Sequence, residues 1–143
     1  MTRRDIVDRL RAGDVLVHDG ATGTELEARG FDCNSGAWSA TANLEAPDVL
    51  RAIHEDYLRA GADIITANNY CTDPSFLDRT GKGAQWRDFS KAGLEIALAA
   101  RDSINPDAYV AGGISPMGVL GQEFTERARL LADGGADFIR RGH

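Results

Sequence analysis

One short motif occurs twice in this chain and predicts how its strands are arranged. Arg59-Ala-Gly-Ala-Asp-Ile-Ile65 and Ala132-Asp-Gly-Gly-Ala-Asp-Phe-Ile139 each place glycine between the end of a helical segment and an apolar run. Glycine in this position is typical of a helix end, and the short apolar run is typical of a buried strand. Because strands that alternate with helices pair in parallel, the repeated motif predicts an α/β fold with a parallel sheet.

Hydrophobic periodicity divides the rest of the chain into further helices and strands. Glycine-rich strand ends, at Gly20 and at Gly112-Gly113, favour a barrel over an open sheet. Thr2 is expected to cap the first helix, and residues 30–46 are expected to form an irregular loop. The predicted strands are residues 14–19, 63–67, 109–114 and 136–139, and the predicted helices are residues 2–12, 24–29, 47–60, 74–78, 84–104 and 122–133.

The length of the chain limits what kind of barrel it can form. A complete (β/α)8 barrel needs about 250 residues, whereas this chain has 143. We therefore expect one truncated domain, residues 1–143, with about four βα units that form a half-barrel. Such a half-barrel leaves two strand edges unpaired. We expect it either to be a fragment that lacks its C-terminal half or to pair with another copy or another chain.

Composition excludes several classes of function. The formal net charge of −6 and the lack of a basic block exclude a nucleic-acid surface. No run reaches the roughly 18 apolar residues of a membrane span, and the first residues lack the apolar centre of a signal peptide. These observations predict a cytoplasmic protein. Two cysteines are too few for a disulfide framework.

The strongest candidate for a functional residue is Asp19, at the end of the first predicted strand. Carboxylates at the carboxyl ends of parallel strands are where α/β proteins bind ligands. Asp19 either meets a cationic group of a ligand or caps the short helix that starts near Thr22. Gly20 and Gly23 bracket the turn and are expected to be needed for its backbone shape. His18 alternates with Asp19, so it is expected to face the other way and to pack beneath a helix.

For the other candidate residues, a purely structural role is at least as well supported as a role in binding a ligand. Asn68 and Asn69 either hydrogen-bond a ligand or simply terminate the second predicted strand, while Trp38 either walls a pocket or covers the barrel rim. We expect Cys71 to be a core thiol, Cys33 to be a loop residue, Glu45 to brace the loop, and His54 and His143 to be structural or solvent-exposed.

Several separated motifs resemble, in the right order, the N-terminal half of the homocysteine S-methyltransferase family. The resemblance covers about residues 14–118, and beyond them the segment between the last two predicted strands looks shortened. The motifs that carry it are Asp19-Gly-Ala-Thr-Gly-Thr-Glu-Leu26, Arg29-Gly30, Trp38-Ser39, Asn43-Leu-Glu45, Pro47, Ile53-His54, Tyr57-Leu-Arg-Ala-Gly-Ala-Asp-Ile-Ile-Thr66, Asn68-Asn-Tyr70 and Val110-Ala-Gly-Gly-Ile-Ser-Pro116.

The resemblance implies transfer of a methyl group from a small donor to the thiol of homocysteine, on a (β/α)8 barrel. It implies that Asp19 receives the homocysteine amino group, that Gly20 and Ala21 form the adjoining turn, and that Asn68 lines the pocket. It also implies a zinc ion that activates the thiol and is held by cysteines on later strands. Neither Cys33 nor Cys71 matches those cysteines, so this chain alone is expected to lack the metal site and to be inactive.

Two other functions are compatible with the residues. A lyase or aldolase on the same kind of barrel would need a Schiff-base lysine or a phosphate loop at a strand end, and Lys82 and Lys91 are predicted to lie elsewhere. A non-catalytic half-barrel that assembles with itself or with a complementary chain is the second alternative. The sequence leaves the methyl donor undefined.

Overall fold

The structure, a computed structural model, describes residues 2–116 and 122–141. Its elements alternate as the sequence predicts, with two 3-10 turns at Trp38–Thr41 and Gly83–Gln85. No described helix combines the length and the hydropathy that a membrane crossing requires. In chain order the elements are α1 (Ile6–Arg11), α2 (Gly23–Ala28), α3 (Ala42–Glu45), α4 (Pro47–Arg59), β1 (Ile64–Thr66), α5 (Pro74–Asp78), α6 (Trp86–Ile104), β2 (Tyr109–Ile114), α7 (Gln122–Asp133) and β3 (Phe138–Arg141).

The described strands form a parallel sheet in the order β1-β2-β3. Ile65 pairs with Val110, and Gly113 pairs with Arg140. The α/β class and the parallel arrangement that the repeated motif predicts are therefore confirmed. The predicted bounds of α5, β2 and α7 are also correct.

The repeated motif makes the same contacts in both places. Gly61 and Gly135 both adopt a left-handed backbone, with φ of 104° and 105°, which glycine tolerates without steric cost. Two residues later, Asp63 accepts a hydrogen bond from Val17 N at 2.9 Å, and Asp137 accepts one from Val110 N at 2.8 Å. Each aspartate thus ties the start of its own strand to the preceding extended segment.

The predicted first strand, residues 14–19, is wrong for most of its length. Only His18 forms a bridge, with Ile64, supported by hydrogen bonds from Ile64 N to Val17 O and from Asp19 N to Ile64 O. Val15 is 87% exposed, and no described strand pairs with the other edge of this segment. Because residues 14–19 pair with β1 only around His18, they make too few backbone hydrogen bonds to form a regular strand.

Several helix and strand ends differ from the sequence prediction by a few residues. The first helix begins at Ile6, because the side chain of Asp5 and not of Thr2 caps it, by accepting from Val7 N at 2.8 Å. The loop predicted at residues 30–46 contains one 3-10 turn and α3. The last strand is shifted from residues 136–139 to Phe138–Arg141, which brings two arginines into the sheet.

The two faces of the sheet have different surroundings. One face packs against the helices through a core that includes Leu58, Ile65, Leu94, Val110 and Leu131. We call the opposite side the front face. Side chains alternate along each strand, and the front face carries Ile64, Thr66, Tyr109, Ala111, Gly113, Phe138 and Arg140.

The N-terminal segment covers the lower part of the front face. Ile6 and Leu16 pack against Ile64, Tyr109 and Ala111. The phenol of Tyr109 donates a hydrogen bond to Arg4 O at 2.6 Å, and the guanidinium of Arg3 lies 4.8 Å from the Tyr109 ring centroid. The N-terminal segment thus packs over the amino-terminal end of the front face.

Candidate functional site

A pocket of about 440 Å³ lies at the carboxyl ends of the strands. Its size suits a small metabolite. The turn at residues 20–23 forms one side of the pocket, and polar side chains from the strand ends form its floor. The side chains that line it include His18, Asp19, Ser39, Thr66, Asn68, Tyr70 and Arg140, together with Ala21 and Ala67.

Asp19 is the most unusual group in this pocket, because its side chain is only 1% exposed. Its Oδ2 atom accepts a hydrogen bond from Thr66 N at 2.9 Å, whereas Oδ1 accepts no hydrogen bond from a described residue and has the His18 ring nitrogen Nδ1 beside it at 2.9 Å. The N-terminal residue that flanks α2 is Thr22, and no side chain caps that helix. The structure therefore excludes the alternative that Asp19 is a helix cap.

Burial raises the pKa of Asp19 to about 6, because the carboxylate form loses its hydration. The hydrogen bond from Thr66 and the positive charges of His18 and Arg140 act in the opposite direction. The carboxyl group is thus held close to its titration point near neutral pH. A cation placed against it would favour the ionised form.

His18 lies beside Asp19 in the pocket, so the expectation that it packs beneath a helix is wrong. Its Nδ1 atom is 2.9 Å from both the backbone oxygen and the Oδ1 atom of Asp19, and its Nε2 atom is 3.0 Å from Thr66 Oγ1. Both oxygens near Nδ1 are acceptors, so a proton on Nδ1 would be directed toward them. Strict alternation fails here because the segment pairs with β1 at a single bridge.

The turn after Asp19 depends on the two glycines to different degrees. A Cβ atom on Gly20 would lie 2.7 Å from the hydroxyl oxygen of Tyr57, and this hydroxyl donates to Ala21 O at 3.0 Å. A side chain at position 20 would therefore displace the Tyr57 hydroxyl from its hydrogen bond to Ala21. Gly23 has neither a positive φ nor any atom within 4 Å of an added Cβ, so the expectation that its backbone shape requires glycine is wrong.

Asn68 lies in the pocket wall, but its amide group is fully engaged within the protein. Its Nδ2 atom donates to Ser39 O and to Asn43 Oδ1, both at 2.8 Å, and its Oδ1 atom accepts from Ser39 Oγ at 3.0 Å. Asn43 in turn donates to Asn68 O and to Phe89 O. This buried network fixes the wall to α6.

Gly93 allows α6 to approach that network. A Cβ atom at this position would lie 2.5 Å from Asn43 Nδ2 and 3.0 Å from Asn68 O. A larger side chain would therefore break the hydrogen bonds that hold the wall. The glycine at this position therefore permits the close contact between α6 and the pocket wall.

The two cysteines do not form a common site. Cys71 is 3% exposed in one apolar cluster, and Cys33 is 8% exposed in another. Burial raises the pKa of Cys71 to about 12, and burial also raises that of Cys33, so both remain thiols at neutral pH. The prediction that Cys71 is a core thiol is confirmed, and Cys33 is a loop residue whose side chain is buried.

The remaining candidates lie outside the pocket. Trp38 is 52% exposed, adopts a φ of 51°, and packs near Phe76 at a centroid distance of 6.2 Å. Glu45 forms an ion pair with Lys82, and His54 is fully buried in α4. His143 lies outside the described residues.

Sequence reasoning missed Ser39, Thr66 and Arg140 as pocket residues. Thr66 could have been found, because it is the last residue of β1 and lies on the same face as Ile64. Arg140 was hidden by ending the last predicted strand at Ile139. Continuing that strand by one residue places Arg140 on the same face as Phe138.

Comparisons with known proteins point to one family. The family model described as homocysteine S-methyltransferase matches residues 16–140. Homocysteine S-methyltransferase of Escherichia coli K12 is 35% identical over 151 aligned positions, which cover 88% of this chain and 49% of that protein. Betaine–homocysteine S-methyltransferase 1 of Rattus norvegicus is 32% identical, with 79% of this chain and 28% of that protein covered.

A solved structure agrees with the sequence relatives. The homocysteine methyltransferase MmuM from Escherichia coli, in its metallated form, superposes with a TM-score of 0.79 at 30% sequence identity. The superposition covers 96% of this chain and 57% of that one. The chain thus spans about half the length of the proteins that it matches.

Proposed function

Because the chain belongs to the homocysteine S-methyltransferase family, we propose that it binds homocysteine as the methyl acceptor in the pocket beside Asp19. The acceptor is named in both relatives described above, whereas betaine is named as the donor for only one of them. The proposal therefore specifies the acceptor and leaves the donor open. It describes this chain as the part of a methyltransferase that holds the amino-acid end of homocysteine.

The Oδ1 atom of Asp19, which accepts no hydrogen bond from a described residue and lies 2.9 Å from the His18 ring nitrogen Nδ1, carries this proposal. A buried carboxylate oxygen without a donor is unfavourable unless a cation or hydrogen-bond donor occupies the adjoining space. The α-ammonium group of homocysteine supplies both a charge and three donors. On binding, it would hold the Asp19 carboxylate in its ionised form and orient the substrate relative to the strand ends.

Neighbouring residues have supporting roles in the proposal. Gly20 and Ala21 form the wall of the pocket beside Asp19, and Tyr57 keeps that turn in place. Asn68 shapes the opposite wall through its contacts with Ser39 and Asn43. The ring of His18 lies within hydrogen-bond distance of the Asp19 backbone oxygen and of Thr66 Oγ1, which ties the end of this segment to β1.

The described residues do not fit the zinc ion that the family resemblance implies. Cys33 and Cys71 occupy separate apolar clusters, with pKa values that burial raises. Among the described residues, no three His, Cys, Asp or Glu side chains come together as metal ligands. We therefore derive no metal-dependent step from this chain, and we assign it substrate binding and not activation of the thiol.

We further propose that the fold is half of a (β/α)8 barrel, with residues 1–143 as one domain. The bridge at His18 and the strands β1, β2 and β3 provide four successive parallel segments. Closing a barrel would require four more, from a second copy or from a complementary segment. In such a barrel the front face would point inward, and the pocket would lie at its carboxyl-terminal mouth.

Calorimetric titration with homocysteine tests the proposed function. We expect the protein to bind homocysteine and Asp19→Asn to weaken binding at least about thirtyfold, since a buried charge pair is worth about 2 kcal/mol or more. Asp48→Asn, an exposed carboxylate on α4, is the matched control and should leave affinity unchanged. The analogue 4-sulfanylbutanoate lacks the ammonium group, so Asp19→Asn and the parent protein should bind it with equal affinity. Absence of homocysteine binding would refute the proposal.

A further inference from the structure

Arg140 is placed by β3 at the edge of the same pocket as Asp19. It pairs in register with Gly113, two positions beyond the pair formed by Ala111 and Phe138 and therefore on the same face of the sheet. Gly113 has no side chain, so the front face beside Arg140 is open. The guanidinium of Arg140 therefore lines the pocket from β3, on the side away from Asp19.

The charge of Arg140 has no carboxylate partner among the described residues. Other arginines near the sheet are paired, as Arg3 is with Asp137 and Arg9 is with Asp14. Asp19 lies in the same pocket as Arg140, yet the two form no ion pair. The positive charge of Arg140 acts on Asp19 at longer range, where it favours the carboxylate form.

One pocket thus presents an anion and a cation that do not neutralise each other directly. A ligand that contacts both side chains needs an ammonium group and a carboxylate group. That is the zwitterionic end of an α-amino acid. The planar guanidinium fork matches the two oxygens of a carboxylate, which makes arginine better suited to this contact than lysine.

We propose that Arg140 binds the α-carboxylate of the amino-acid substrate while Asp19 binds its α-ammonium group. This inference rests on the proposed function and adds a second contact to it. It makes Arg140 a residue that selects amino acids over amines with the same thiol chain. It also gives the substrate a fixed orientation, with its side chain directed away from both charged groups.

Two ligands and three variants test the role of Arg140 by calorimetry. Homocysteine carries both charged groups, whereas 3-aminopropane-1-thiol lacks the carboxylate. We expect Arg140→Gln to weaken homocysteine binding about tenfold or more. The same variant should bind 3-aminopropane-1-thiol with the affinity of the parent protein. Arg140→Lys should recover part of the loss. Arg141→Gln, the next residue on the strand and also exposed, is the matched control.

The outcomes separate this inference from the function on which it rests. If the parent protein and Arg140→Gln bind homocysteine equally, the role of Arg140 is wrong while the role of Asp19 stands. If Arg140→Gln weakens both ligands to the same extent, Arg140 acts on the pocket generally and not on the carboxylate, which also overturns the inference. If the parent protein binds neither ligand, the proposed function itself fails.

Discussion

Asp19 and His54 are both buried titratable residues, but they lie in very different surroundings. Asp19 borders the pocket, with a backbone N–H, a histidine and an arginine around it. His54 is 0% exposed on the buried side of α4, and neither ring nitrogen has a hydrogen-bond partner among the described residues. Burial raises the pKa of Asp19 to about 6 and lowers that of His54 to about 4.

The comparison shows that burial alone does not identify a functional residue. Desolvation is the main cause of the pKa change in both cases, and for His54 it is the only cause. The neutral imidazole of His54 acts as a packing group, because neither ring nitrogen has a hydrogen-bond partner among the described residues and burial disfavours the charged form. Asp19 differs because neighbouring polar groups partly stabilise its carboxylate form. The adjacent pocket also has room for a ligand whose positive charge would stabilise that form further.

The largest effect is expected from His54→Leu at acidic pH. The folded-state pKa of His54, about 4, lies below the unfolded value of 6.5, so only the unfolded state gains a proton between these values. The stability of the parent protein therefore falls as the pH drops from about 6.5 toward 4. His54→Leu should raise the free energy of unfolding by about 2 kcal/mol more at pH 5 than at pH 7. Urea unfolding at both pH values measures this, and an equal gain at both would show that His54 is not buried as a neutral group.

An effect of comparable size, and of the opposite sign in pH, is expected from Asp19→Asn. The folded-state pKa of Asp19, about 6, lies above the unfolded value of 3.8. Its contribution to stability is therefore present below pH 3.8 and is lost as the pH rises through 6. Asparagine keeps an acceptor for Thr66 N without the charge, so Asp19→Asn should stabilise the protein by about 2 kcal/mol at pH 8 and by little at pH 4. If Asp19→Asn is less stable than the parent protein at pH 8, the charged carboxylate stabilises the folded state, which contradicts this prediction.

The smallest effect is expected from combining the two substitutions. No charge interaction between Asp19 and His54 contributes to either pKa, so the two sites should behave independently. At each pH, the double variant should have a free energy of unfolding within about 0.5 kcal/mol of the sum of the single effects. Because the two residues act in opposite directions between about pH 4 and 6, each single variant should also have a steeper pH profile than the parent. A larger coupling energy would mean that the two regions are one unit.

Much of the fold could be predicted from the sequence, because local signals agree with the final arrangement. The Gly-Ala-Asp motif at residues 61–63 and 135–137 encodes a helix end, a left-handed glycine and an aspartate that binds the neighbouring segment. Each of these depends on residues close together in the chain. The segment at residues 14–19 was predicted incorrectly because its strand character depends on pairing partners, and β-branched residues alone do not provide them.

The pocket was harder to predict than the fold. Asp19 was identifiable as a carboxylate at a strand end, but the direction of His18 depended on whether strict alternation continued past the bridge. The network of Asn43, Asn68 and Ser39 joins residues up to 29 positions apart, so no local pattern reveals it. Arg140 required the register of the last strand, which only the sheet determines.

Carboxyl-carbon NMR of Asp19, titrated against pH with and without homocysteine, tests the central claim most directly. In the free protein the Asp19 carboxyl group should titrate with a pKa of about 6. With saturating homocysteine the ammonium group should lower that pKa below about 5, because an adjacent positive charge favours the carboxylate form. A pKa that stays at about 6 when homocysteine is bound would contradict the claim that Asp19 holds its amino group.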